Sequence, residues 1–134
     1  RLQAMAITAS WYDETQRVIL QRYQGRWTWE ELSIAAGTAR ALTASVPHSV
    51  VLFIDMSDSN QIPQGNVLSQ GRAIFNMMPS NMTQIIVVAQ SQIIEVFANL
   101  VIKMLPNWRN RVKFVKSIEE GKRLLAEALG VNTI

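Results

Sequence analysis

Apolar positions along this chain follow two different periods. Ile7, Ala9 and Trp11 alternate with other residues, so 5–11 reads as a strand. A polar turn over 12–16 carries Asp13 and Glu14. The next segment, 17–23, again reads as a half-buried strand, with Val18 and Leu20 on one face and Ile19 and Tyr23 on the other. So short a connection predicts an antiparallel hairpin.

Gly25 interrupts this pattern, and the period then becomes helical. Thr28 and Glu31 have the spacing of a capping box, in which each side chain satisfies the other residue's free backbone N–H. Trp29, Leu32, Ala35, Ala39, Leu42 and Val46 form an apolar stripe, which predicts a helix over 28–46 stopped by Pro47. The many alanines on it imply a close approach to a sheet.

Further on, alternation gives way to continuous apolar runs. Val50, Val51, Leu52, Phe53 and Ile54 form one, and Ile85, Ile86, Val87 and Val88 form the other. Such runs belong to strands buried on both faces, as in parallel sheets covered by helices. They predict strands over 49–54 and 83–89. Between them lie a loop over 55–65 rich in Asp, Ser and Asn, and a helix over 66–78 stopped by Pro79. Ser91 reads as the N-cap of a helix over 92–105 stopped by Pro106, and 111–115 as a short strand. Ser117 and Glu120 repeat the capping box before a last helix that ends at Gly130. The order β-β-α-β-α-β-α-β-α predicts an α/β fold. A leading antiparallel hairpin joins parallel strands linked by right-handed crossovers, in one domain spanning 1–134.

Composition agrees and removes several classes of function. A chain of 134 residues with 49% hydrophobic and 17% charged residues is globular and long enough for one sizeable core. No apolar stretch approaches the ~18 residues of a membrane span. The first residue is Arg1 and not Met, so a piece of a longer reading frame is expected, and no basic-then-apolar leader is read. The absence of cysteine excludes disulfides, thiolate metal sites and a cysteine nucleophile, and it fits an expected cytoplasmic location. The single histidine, His48, excludes a multi-histidine metal site within one chain. Net charge is +3, with Arg109, Arg111, Lys113, Lys116, Lys122 and Arg123 gathered near the C-terminus. These residues read either as an attraction for an anionic partner or as a solvated rim. Arg26 beside Trp27 and Trp29 is one cation and not a groove, so no nucleic-acid partner is expected.

Candidate chemistry centres on Asp55, Ser57, Asp58 and Ser59, directly after a buried parallel strand. In open α/β sheets that edge binds ligands. These residue types could hold Mg²⁺ or place a nucleophile, or simply bond their own backbone in turns. An Asp-x-Asp phosphohydrolase pair would need an acid at position 57, where Ser57 stands. The loop also lacks the glycines of a phosphate cradle. Ser91, after the next buried strand, should share the same edge. His48 lies at the other end of its strand, ~16 Å away by strand geometry, and cannot complete a triad with Ser57 or Ser59. No catalytic set assembles, so neither an enzyme nor a cofactor or metal is expected.

The segment 92–105 is unusual. Gln92, Glu95, Asn99 and Lys103 make a narrow polar stripe, and apolar residues including Phe97, Val101 and Ile102 cover the rest. Packing on one sheet face needs an arc of about 100°. A neighbouring helix, a partner chain or a lipid-like ligand should cover the remainder. Met77, Met78, Met82 and Met104 would make that surface adaptable.

The stretch Val50-Val51-Leu52-Phe53-Ile54-Asp55-Met56-Ser57 is similar to the buried strand ending in Asp-Leu-Ser of STAS domains, named for sulfate transporters and anti-sigma-factor antagonists. Phe114-Val115-Lys116-Ser117-Ile118-Glu119-Glu120-Gly121 resembles the last strand and helix start of that family. The element order also resembles the related lipid-binding fold of Sec14-type proteins. The resemblance implies a non-enzymatic regulatory or signalling module with a protein partner or a homodimer. Its contact surface would be the 55–66 loop, including Asn66, with the 66–78 and 92–105 helices. Antagonists of this family carry a phosphorylated serine in Asp-Ser-Ser-Gly at the start of the next helix. Here Ile62-Pro63-Gln64-Gly65-Asn66-Val67 has none, so the resemblance does not extend to that switch. The Sec14-type side of the resemblance implies an alternative, a carrier of a small apolar or lipid-like ligand.

Overall fold

The computed structural model describes residues 5–59 and 61–132. Strands β1 (Ile7–Trp11) and β2 (Val18–Gln24) form the expected antiparallel hairpin, with Ile7 opposite Tyr23 and Trp11 opposite Ile19. Helix α1 (Trp29–Ala44) leads to β3 (Val50–Asp58), α2 (Val67–Asn76) to β4 (Met82–Val88), and α3 (Gln92–Lys103) to β5 (Val112–Val115) through a 3-10 turn at Pro106–Trp108. Helix α4 (Ile118–Leu129) closes the order. The sheet is mixed: β2, β3, β4 and β5 run parallel.

The strands lie in the sheet in chain order, β1-β2-β3-β4-β5. Right-handed crossovers that all step the same way place their helices on one face. Accordingly, Ala35 and Ala39 of α1 and Ile94 and Val101 of α3 share one core with Ile19, Leu52, Ile85 and Val87. The opposite face carries a second core of Val18, Val51, Phe53, Ile86, Val88 and Val115, closed by Leu125 of α4. The continuous apolar runs of β3 and β4 supply alternate residues to the two cores, which is why they show no period.

The order never reverses, so the sheet has no switch point at which helices diverge to opposite faces and open a crevice at the strand ends. One expectation, the acidic segment, is corrected. Asp55, Met56, Ser57 and Asp58 belong to β3 and not to a loop. The reason is pairing: Arg22 and Gln24 of β2 stand opposite Asp55 and Asp58, and Val88 of β4 stands opposite Asp55. Ladder hydrogen bonds outweigh the turn preference of these residue types. Asn60, read as part of that loop, lies outside the described residues.

Local chemistry fixes the helix ends. Thr28 and Glu31 form the complete capping box. Ser117 accepts from the Glu120 N–H, and Gly130 closes α4 in the left-handed region at φ 70°. Ser91 occupies the N-cap position of α3 but makes no side-chain cap bond, against expectation. Asn81 is a tie that periodicity does not show. Its amide nitrogen donates to the carbonyls of Thr43, Val46 and His48 at 2.8, 3.2 and 3.0 Å, which seats the end of α1 and the turn beyond it.

Candidate functional site

Helix α2 buries none of its residues. It packs on α3, where Gly71 allows the approach: a Cβ there would stand 2.8 Å from Val101 Cγ2. Helix α1 lies along β1 and β2, whereas α2 and α3 pack mainly on each other and on the segment after α3. The pair bridges the rest of the sheet like a roof, and a cavity of about 160 Å³ remains beneath it.

Its floor crosses four strands: Gln21 and Tyr23 of β2, Ile54 and Met56 of β3, Val87 of β4, and Phe114 of β5. Leu32 and Ala36 of α1 close one side, and Ile74, Phe75, Ile94 and Ala98 of α2 and α3 form the roof. Ile54 sits in the middle strand yet is only half-buried, consistent with a side chain that faces this space. Among the described residues, no charged side chain lines it.

Aromatic residues stiffen the β2 end. Trp27 meets Tyr23 and Trp29 edge to face, with centroids 5.3 and 5.2 Å apart. Trp27 is buried directly before the N-cap residue Thr28. Trp29 is half-buried, and its indole N–H donates to the Gln64 carbonyl at 2.9 Å. That bond pins the segment after β3, whose Ile62 adds to the cavity wall. The Tyr23 hydroxyl donates to Gln21 Oε1 at 2.8 Å, and burial pushes the phenol well above its ordinary value.

The sequence-predicted residues divide into three groups. Asp55 is buried on the α4 side of the sheet, away from the cavity. Its Oδ1 accepts from the Ser57 N–H at 3.0 Å and from the Ser57 hydroxyl at 2.6 Å, and Arg22 Nε lies 3.5 Å from Oδ2. Ser59 donates to the Gly25 carbonyl at 2.7 Å, and Asn66 caps α2 by accepting from the Ser69 N–H. Asp55 with Ser57 and Asn66 with Ser69 bond within two or three residues, whereas Ser59 and Asp55 also tie this segment to Gly25 and to β2. Asp58 and His48 are exposed. Among the described residues, no group of three or more His, Cys, Asp or Glu side chains converges to hold a metal ion.

In the last group, Phe97, Val101 and Ile102 all line the cavity. Val101 and Ile102 are buried, so they are not available on an outer surface. Both faces of α3 are apolar, and periodicity alone could not say which one turns inward. The outward strip is Ile93, Val96, Leu100 and Met104, with Phe97 at its margin. The sequence reading placed Tyr23 on a strand face with Ile19 but gave neither it nor Gln21 a place in a site. Gln21, at an inward position of a strand otherwise filled by Ile19 and Tyr23, was the available signal.

The basic C-terminal stretch also resolves in part. Arg111 stacks on Trp108 at 4.0 Å and donates to the carbonyls of Met82, Thr83 and Asn107, so it fastens the 3-10 turn to β4. Among the described residues, no helix is long and apolar enough to cross a membrane. Comparison with protein-family models and with curated proteins finds no match.

Proposed function

We propose that this chain binds a small, mainly apolar molecule between its sheet and the α2–α3 roof. The cavity carries this reading: it is lined by aliphatic and aromatic side chains, bears one polar pair, and among the described residues contains no charge. Ligand pockets share that make-up. Its volume of about 160 Å³ is close to the roughly 150 Å³ of an apolar protein cavity that accepts benzene. The roof supplies an entrance mechanism, because a helix with no buried residue can lift at little cost. The sequence resemblance to Sec14-type domains supports the same reading.

Hexane-saturated buffer should raise the thermal unfolding midpoint, since a ligand that binds only the folded state stabilises it by about 2.7 kcal/mol at 100 times Kd. Ile54→Trp, which places an indole in the cavity, should stay folded by circular dichroism and lose the response. An unchanged wild-type midpoint, together with no co-purified small molecule in native mass spectrometry, would refute the proposal.

The outward strip of α3 favours a second reading, a self-associating interaction module of the STAS-like kind. Ile93, Val96, Leu100 and Met104 are exposed together on one strip of the helix, Val96 at 56% and Ile93 at 59%, and contiguous apolar surface is the mark of an interaction site. Light scattering should then show a dimer that Val96→Glu returns to monomer. Wild-type monomer at millimolar concentration removes this reading.

A further inference from the structure

We infer that the ligand of this cavity is electrically neutral and carries a single hydrogen-bond acceptor at one end, which meets the amide of Gln21. This inference rests on the apolar-ligand reading above and narrows it to a chemical class.

Placement comes first. Gln21 is 2% exposed, stands beside Ile54 in the sheet register, and lines the cavity. The floor runs from β2 to β5, three interstrand steps of about 4.8 Å, so it is roughly 14 Å across. Gln21 and Tyr23 sit together at the β2 end, and every residue on the other three strands of the floor is apolar. The space is therefore elongated, with polarity at one end only.

Hydrogen bonding then sets the sign of the polar group. The Tyr23 hydroxyl uses its proton on Gln21 Oε1. The amide nitrogen carries two protons and belongs to a residue that lines the cavity. Trp27, in the same wall, has a buried indole N–H that finds no partner among the described residues. An unsatisfied buried donor is rare in folded proteins and calls for an explanation. Donor protons outnumber the acceptors they are bonded to at this end, and a ligand oxygen would accept one.

Charge sets the last constraint. Among the described residues, no Lys, Arg or His lines the cavity. An ionised carboxylate or phosphate would be stripped of water with no cation to receive it, a cost that neutral groups avoid. A ketone, aldehyde or ester on a short hydrocarbon body fits. A fatty-acid anion or a phospholipid headgroup does not.

The test compares three probes of matched length, hexane, 2-hexanone and hexanoate, by NMR titration of isotope-labelled protein at pH 7.5. In wild type, hexane and 2-hexanone should bind and hexanoate should bind at least 10-fold more weakly than the ketone. The Gln21 side-chain amide signals should move with 2-hexanone and stay in place with hexane. In the double variant Gln21→Leu/Tyr23→Phe, which removes the polar pair without stranding the phenol, the Kd of 2-hexanone should rise about 3- to 10-fold, the value of one lost hydrogen bond. Hexane affinity should change by less than about 2-fold. The amide signal needs no variant, so the test survives if the double variant does not fold. A ketone that leaves the Gln21 signal unmoved, or hexanoate that binds as tightly as the ketone, overturns this inference while hexane binding keeps the broader reading intact. If neither hexane nor 2-hexanone binds, both fall together.

Discussion

Phe53→Ala should lower the stability of this domain by about 3–5 kcal/mol, read from equilibrium urea unfolding. That is a large part of the roughly 5–15 kcal/mol that holds most folds together. Phe53 is fully buried at the centre of the middle strand, on the face that α4 alone covers. Helix α4 reaches it through Gly121, where a Cβ would stand 2.7 Å from Phe53 Cε1 and 2.8 Å from Val88 Cγ2. With the ring gone, the glycine offers nothing to fill the space, and the helix is already against the sheet. The same contact inverts an ordinary substitution. Gly→Ala in an exposed helix stabilises by about 1 kcal/mol, but Gly121→Ala should destabilise by about 1–3 kcal/mol through overpacking. Combined with Phe53→Ala, the new methyl enters vacated space, so the two costs together should fall short of their sum.

Gly71→Leu should detach α2 without unfolding the sheet. The new side chain would have to enter at a point 2.8 Å from Val101 Cγ2. Overpacking of about 1–3 kcal/mol corresponds to roughly 5- to 150-fold faster amide exchange by local opening. That acceleration should be confined to α2 and the segment pinned by Trp29, while amides of α4 on the far face keep their protection. Since α2 buries no residue of its own, its packing on α3 and the Trp29–Gln64 bond hold it in place. Equal acceleration in α4 would mean that the roof is an integral part of the fold. That outcome would exclude a lifting entrance.

Much of the architecture is legible in local chemistry. Two continuous apolar runs specify β3 and β4, because only strands covered on both sides can bury every successive residue. The Thr28–Glu31 box and Gly130 mark helix ends through bonds that reach no more than a turn. What stayed hidden depends on distant partners. Asp55, Ser57 and Asp58 look like a turn until Arg22 and Gln24 pair with them. Ser91 looks like a cap, yet makes no such bond. The wide apolar arc of α3 was readable, and it does serve more than one surface. Whether Val101 or Val96 turned inward depended on where α2 docks. The cavity could not be read at all: an apolar residue has the same letter whether it meets a neighbour or a void, and the void here arises from the stand-off of two helices.

The orderly sequence of strands has a consequence during synthesis. The sheet can grow from one edge to the other as the chain leaves the ribosome, with each crossover helix landing on the side already being built. The opposite side waits for the C-terminal helix, at about 5–20 residues per second. Until residues 118–129 emerge, Val51, Phe53, Ile86 and Val88 face water as one bare apolar plane. A nascent chain stalled before that point would therefore carry the molecule's most adhesive surface uncovered.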